Sequence, residues 1–325
     1  MLKIDERLSN KLANMSIISA MLVCCIHSPG AVWYREVFIA WLCRIAVPYF
    51  FFCSGLFLAG HMDEDGWWRR ETGKRVSSLF IPYVSWSLIF LVFSLSLKFV
   101  ANVVHQEPWY RNIPVGWQNL RWLGLDPFVY PEYGVLWFVR ALFILVLVSP
   151  VIKIIADSGL RWLWTMACWL AGLVVGVDCW LNNLLPLFAV AFFSAGVTVR
   201  RHPFNMPRVV KVCVVVIAII GSVWIVTRCV ALQYPQQTLS AKAALPFVLY
   251  SVWSLVPARK WPKWLTSVAF GVYLLHVFLA IILGMTLPSL PYPISCAIVI
   301  AVTIVIINLC KRYLPWTKRW LFGGR

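Results

Sequence analysis

The stretch SIISAMLVCCIHSPG, residues 16 to 30, is almost wholly apolar until a histidine appears at position 27, just before a Ser-Pro-Gly break. A helix needs about 20 predominantly apolar residues to cross roughly 30 Å of bilayer hydrocarbon, and helical backbone satisfies its own amides there. Similar runs recur along the chain, at roughly 12 to 28, 37 to 60, 79 to 101, 135 to 156, 160 to 177, 181 to 199, 209 to 231, 243 to 257, 264 to 286 and 292 to 311. Hydrophobic residues make up 61 %, charged residues only 13 %, and the mean hydropathy is +0.80. A soluble domain carries roughly 25 % charged residues. The expected fold is therefore all-α, a polytopic transmembrane bundle of about ten helices, with residues 1–325 forming a single domain. By length the first run would also suit a signal peptide, but it lacks a small-residue cleavage site and another span follows closely, so it is expected to stay in the mature protein.

The net charge of +17 would suit nucleic acid if it were gathered in a soluble domain. Instead it falls in alternate loops. With the N-terminus inside, about 21 basic residues face the cytosol and about 6, among them Arg35, Arg111 and Arg121, face the other side. The expectation is an N-in/C-in protein of a bacterial cytoplasmic (inner) membrane that contacts membrane lipids and binds no nucleic acid. The ten cysteines sit mostly inside spans without CxxC or framework spacing, and no metal-ligand pattern or phosphate-binding glycine loop is present, so no metal is expected. The stretch from about Asn102 to Gly134, rich in Trp, Tyr and Pro, reads as an outer lid or re-entrant segment, with an acceptor-site lining or a structural cap as alternatives. In GHMDEDGWWRRETGKRVSSLFIPY (60 to 83), Asp63, Glu64 and Asp65 read as a solvated turn and Trp67 and Trp68 as interface anchors. The basic residues there suit lipid headgroups or an anionic cosubstrate.

A charge near the bilayer centre costs at least about 2.5 to 3.5 kcal/mol, so an ionisable group inside a span marks a candidate site. There are four: His27, Arg44, Arg140 and His276. On the expected topology His27, Arg44 and Arg140 share the outer half. An imidazole near guanidinium groups suits deprotonation of a hydroxyl and stabilisation of an oxyanion. A proton or cation pathway would want buried carboxylates, and none lies deep in a span. Taken singly, each has a bland role: interfacial His, snorkelling Arg, or a His bonded to a neighbouring helix.

The chain resembles the integral membrane acyltransferases of acyltransferase family 3. The likeness rests on the first span ending in His27 and on AVPYFFFCSGLFLA (46 to 59), KRVSSLFIPYVSWSLIF (74 to 90), LWFVRALFILVLVSPVI (136 to 152) and FGVYLLHVFLA (270 to 280), in that order. It implies an O-acyltransferase that takes an acyl group, acetyl above all, from cytosolic acetyl-CoA and moves it to a hydroxyl of a glycan or lipid-linked sugar at the outer face. It implies His27 as catalytic histidine and Arg75 as the first arginine of a basic motif, and Arg44, Arg140, Tyr273 and His276 match recurrent positions. Lys74, Arg75 and Arg70 are the expected contacts to the CoA phosphates, and Arg44 and Arg140 the expected contacts to the acceptor or the tetrahedral oxygen. The chain departs from the family at Ser16, where an arginine is usual, and at Ser78, where a second arginine often follows. Serine replaces neither the charge nor the reach of arginine. The competing readings are a transporter or flippase for a glycan or anionic substrate, which inverted repeats would favour and the two halves do not display, and a catalytically impaired accessory protein of glycan assembly.

Overall fold

The computed structural model describes residues 1–30, 35, 38–39, 42–105, 134–175, 184–203, 207–229 and 239–324. The Trp- and Pro-rich stretch read as an outer lid lies almost entirely outside them. Among the described residues the protein is all-helical, and every one of the ten apolar runs holds a helix. The helices are α1 (Glu6–His27), α2 (Ala46–Leu58), α3 (Trp67–Arg75), α4 (Ile81–His105), α5 (Leu136–Leu147) and α6 (Ser149–Asp157). They continue with α7 (Arg161–Val174), α8 (Leu187–Arg201), α9 (Arg208–Cys229), α10 (Leu239–Leu255), α11 (Ala269–Thr286) and α12 (Tyr292–Tyr313). Five segments are long and apolar enough to cross a membrane: Glu6–His27, Cys43–His61, Trp67–Phe93, Ala269–Thr286 and Tyr292–Tyr313. A sixth is added if α5 and α6, bent by 61° at their junction, count as one span.

That bend has a local cause. Pro150 at the start of α6 has no N–H to bond the preceding turn. The Ser149 hydroxyl instead donates to Val146 O at 2.6 Å, and the Trp68 indole donates to Leu147 O at 3.0 Å. Trp68, expected as an interface anchor, thus caps a broken helix.

α1 starts on Asp5, whose carboxylate accepts the Leu8 N–H at 2.7 Å, and stops where Ser28 turns its hydroxyl back to Cys24 O at 2.9 Å. Beyond it Gly30 adopts φ +117° and lies against the backbone of Tyr292, where a Cβ would sit 2.9 Å from Tyr292 Cα. The Tyr292 hydroxyl donates to Cys25 O at 2.8 Å, so α12 pins the end of α1 beside His27.

α2 and α8 cross backbone to backbone. A Cβ on Gly55 would run into Phe193 O, and one on Gly196 would run into Phe52 O and lie 2.8 Å from Leu56 N. In apolar surroundings, where no hydrophobic force drives helices together, such close approach supplies the dispersion contact that holds them. Phe51, fully buried on α2, packs edge-on to Phe138 of α5 at 4.8 Å and so ties this pair to the bundle centre.

One end of the bundle gathers basic residues. There the Leu2 N–H donates to Arg200 O at 2.6 Å, and the Asn14 amide donates to Pro257 O and Arg259 O at 3.0 and 2.8 Å. The acidic cluster is more than a solvated turn. Arg201 at the end of α8 joins Asp63 at 2.9 Å and Asp157 at 2.5 Å, clasping three segments distant in sequence. Glu64 pairs with His61 and Arg70, and its hydrogen bond to the imidazole, aided by the Arg70 charge, holds its carboxyl below the usual range. His27, Gly30 and Tyr292 lie at the opposite end.

Candidate active site

A cavity of about 490 Å³ opens between α1, α2, α5 and α11, with Arg75 at one side of it and Tyr273 at another. Phe50, Leu79, Phe138 and Leu142 give it an apolar wall. Arg75 is the last residue of α3, and the next five residues, Val76–Phe80, form a π-helical turn before α4 begins. Such turns change the rotation of successive side chains and are frequent at functional sites. Here Arg75 and Leu79 line the cavity, whereas Ser78 turns away beneath the chain's C-terminal segment, where a Cβ on Gly323 would meet its carbonyl.

Arg75 is held by Glu71. This carboxylate is 2 % exposed and receives the Lys74 ammonium at 2.6 Å and the Arg75 guanidinium at 3.5 Å. A buried carboxylate without cations would be costly, so Glu71 fixes both bases on one turn of α3. Arg70 does not line the cavity and pairs with Glu64 on the exposed side of the same helix. Replacing Glu71 with glutamine keeps the volume and removes the charge that orients Arg75. Should Arg75 contact an acyl donor, as the resemblance implies, the donor KM is expected to rise about tenfold with kcat little changed, the scale of one charged hydrogen bond. Steady-state kinetics with varied donor checks it.

Tyr273 marks the other side of the cavity. Its hydroxyl donates to Val135 O, and its ring packs against Phe138 at 5.1 Å and Phe50 at 6.3 Å. One helical turn further along α11 stands His276, fully buried. Its Nδ1 lies 3.2 Å from Val272 O, and a carbonyl only accepts, so Nδ1 carries the hydrogen and Nε2 the lone pair. Among the described residues Nε2 has no hydrogen-bond partner. The His27 ring lies against it, centroids 5.1 Å apart and planes inclined by 54°. His27 itself is exposed at the end of α1, and helical side chains lean toward their own N-terminus, which carries its ring back into the bundle.

Arg35, one of the few bases expected in the outer loops, stands beside this pair. Its guanidinium donates to Ile26 O at 3.2 Å, lies 5.6 Å from the Tyr292 ring centre and is within electrostatic reach of His27. Its position eight residues after His27, on the side poor in bases, was the one available signal. Arg44 sits half-buried in a single turn, Cys43–Ile45, that packs on α1. Arg140 is 2 % exposed, but at 100° per residue it is about 200° around α5 from the Phe138 stripe that lines the cavity. It points to the α4 side, within electrostatic reach of Tyr83. The structure thus brings together His27, His276, Tyr273 and Arg35, and sets Arg140 off the stripe of α5 that lines the cavity.

Ser16 does line the cavity. Its hydroxyl donates to Leu12 O at 2.9 Å and lies 3.4 Å from the Tyr49 hydroxyl. Of the two departures from the expected basic pattern, one faces the cavity and the other, Ser78, does not.

A cation-edged apolar cavity thus leads to a histidine pair. The family model described as "Acyltransferase domain" matches residues 13–310. The chain belongs to acyltransferase family 3. No match was found among curated proteins or among solved structures. Membership makes the chain an acyltransferase, and with its several apolar helices a multi-pass membrane protein. Among the described residues no three His, Cys, Asp or Glu side chains cluster as a metal site.

Proposed function

We propose that the protein is an O-acyltransferase of a bacterial inner membrane, with ten spans and both termini in the cytosol, which moves acetyl from acetyl-CoA to a hydroxyl of a glycan or lipid-linked sugar at the outer face. One observation carries the reading: a single cavity has Arg75 on its lining and extends to Tyr273, one turn short of the His276–His27 pair. The basic end of the bundle is its cytosolic end by the excess of Lys and Arg there. The residues present fit the donor. Arg75 and Lys74 would meet CoA phosphates, and Phe50, Leu79 and Phe138 would line the path of the thioester arm.

The transfer needs one proton moved twice. A ring nitrogen of His27 takes the proton of the acceptor hydroxyl as its oxygen attacks the thioester carbonyl carbon. The carbon–sulfur bond breaks, and the imidazolium returns the proton to the departing CoA thiolate. His276, with its lone pair at Nε2 and its Nδ1–H fixed on Val272 O, holds the orientation of the His27 ring. Arg35, beside His27, opposes negative charge on the tetrahedral oxygen. Arg44, in the turn packed on α1, would meet the acceptor. Arg140, buried on α5 within electrostatic reach of Tyr83, is the second candidate contact to the acceptor or the tetrahedral oxygen.

The deciding experiment incubates the purified protein in nanodiscs with radiolabelled acetyl-CoA and a panel of glycans and lipid-linked sugars, wild type beside Ser16→Arg. CoA release with label on an acceptor hydroxyl is the expected result. Because position 16 faces the cavity, the added guanidinium is expected to lower the donor KM about tenfold, as one charge-assisted contact would. Absence of CoA release from both proteins would overturn the reading in favour of a transporter or an accessory protein.

A further inference from the structure

Behind the donor cavity, α2, α7, α8 and α10 enclose a second groove of about 460 Å³, the size of a small-molecule site. Its walls include Phe52, Phe192, Leu249, Tyr250 and Trp253, and Lys211 at the start of α9 borders it. Tyr49 is the partition: its ring lines this groove while its hydroxyl donates to Leu12 O at 2.6 Å, close to Ser16 of the donor cavity. The two spaces are separate.

Trp253 also borders a basic depression lined by Arg7 and Lys11. The Lys11 ammonium lies 4.8 Å from the centre of the Trp253 ring. Arg7 and Lys11 are one turn apart on α1, a spacing at which like charges repel unless an anion lies between them. Asp5 shares the depression, but its carboxylate accepts the Leu8 N–H at the start of α1. Among the described residues no carboxylate lies within 4.0 Å of the charged nitrogens of Arg7, Lys11 or Lys211.

The geometry points to a binding site for an anionic phospholipid, its acyl chains along Phe52, Phe192 and Leu249 and its headgroup at Trp253, answered by Lys11 and Lys211. A free anion would have no use for the aromatic groove, and a neutral lipid none for the uncompensated cations. Basic pockets between membrane helices hold lipid headgroups by this combination. The bulky apolar residues exposed on α7 and α9 nearby, Leu163, Met166, Val216 and Ile219, present the surface from which a lipid would enter.

Native mass spectrometry of the full chain tests this with phosphatidylglycerol and phosphatidylcholine of identical chains. Phosphatidylglycerol is expected to remain bound, one per chain, under activation that strips phosphatidylcholine. The double variant Lys11→Gln/Lys211→Gln should weaken that retention about tenfold. Arg208→Gln, which removes a cation of the same helix outside the groove, should leave it unchanged. Equal retention of the two lipids, no loss in the double variant, or the same loss in Arg208→Gln would overturn the site. Tighter retention of a polyprenyl phosphate than of phosphatidylglycerol would overturn it too, in favour of a sugar-carrier lipid.

Discussion

Substitution of His27 by alanine is expected to lower acyl transfer by about 10²–10⁴-fold, the usual contribution of a positioned general base. The donor KM should change little, because His27 is not among the residues that line the cavity proposed for the donor. His276→Ala is expected to lower kcat less, about tenfold, since on the proposed mechanism His276 holds the ring of its neighbour, 5.1 Å away. The double variant should then be no slower than His27→Ala alone, because a positioning residue has nothing left to position. His276→Gln offers an amide at the same depth and is expected to restore part of the loss. The measurement is CoA release and acceptor labelling across the four variants at saturating donor. Additive losses, or a larger loss for His276→Ala than for His27→Ala, would reverse the roles and make the buried imidazole the base.

Helix content and depth were legible in the chain, while rotation and partnership were not. Each of the ten apolar runs read off the sequence holds a helix among the described residues, and five of the helical segments, or six with the bent pair, have the length and apolarity that a bilayer crossing requires. The run at 135–156 read as one span, and Pro150, visible there, is what breaks it. Depth in a span follows from counting residues, and depth is what groups Arg140 with His27. The azimuth of α5 turns Arg140 to the Tyr83 side, and azimuth depends on packing with helices remote in sequence. The same holds for Asp63, whose ion pair with Arg201 joins segments 138 residues apart and has no local signature. His27 and His276 were both singled out as ionisable groups in apolar segments. Their contact is a property of the α1–α11 packing, which no motif encodes.

Gly196→Ala is expected to be the most damaging single-methyl change in the bundle. Ordinarily this substitution favours a helix by about 1 kcal/mol, since alanine loses less backbone entropy than glycine. Here the new methyl would run into the Phe52 carbonyl oxygen and lie 2.8 Å from Leu56 N, and both are backbone atoms that no rotamer change can move aside. The two helices would have to part, and every contact along their crossing weakens with them, including the seat of Phe193 and Phe51, both fully buried. The net cost is expected at about 3 kcal/mol or more, at the upper end of overpacking effects. Gly221→Ala supplies the internal comparison. Among the described residues its Cβ would meet only Ala244 Cβ at 3.5 Å, an ordinary contact, so the entropy term should prevail and stability should hold or rise. Thermal unfolding in one detergent, followed for both variants and wild type, checks the pair. Equal melting temperatures for Gly196→Ala and Gly221→Ala would mean that α2 and α8 do not cross backbone to backbone. The wall that α2 presents to the cavity through Phe50 and Cys53 would then have to be drawn differently.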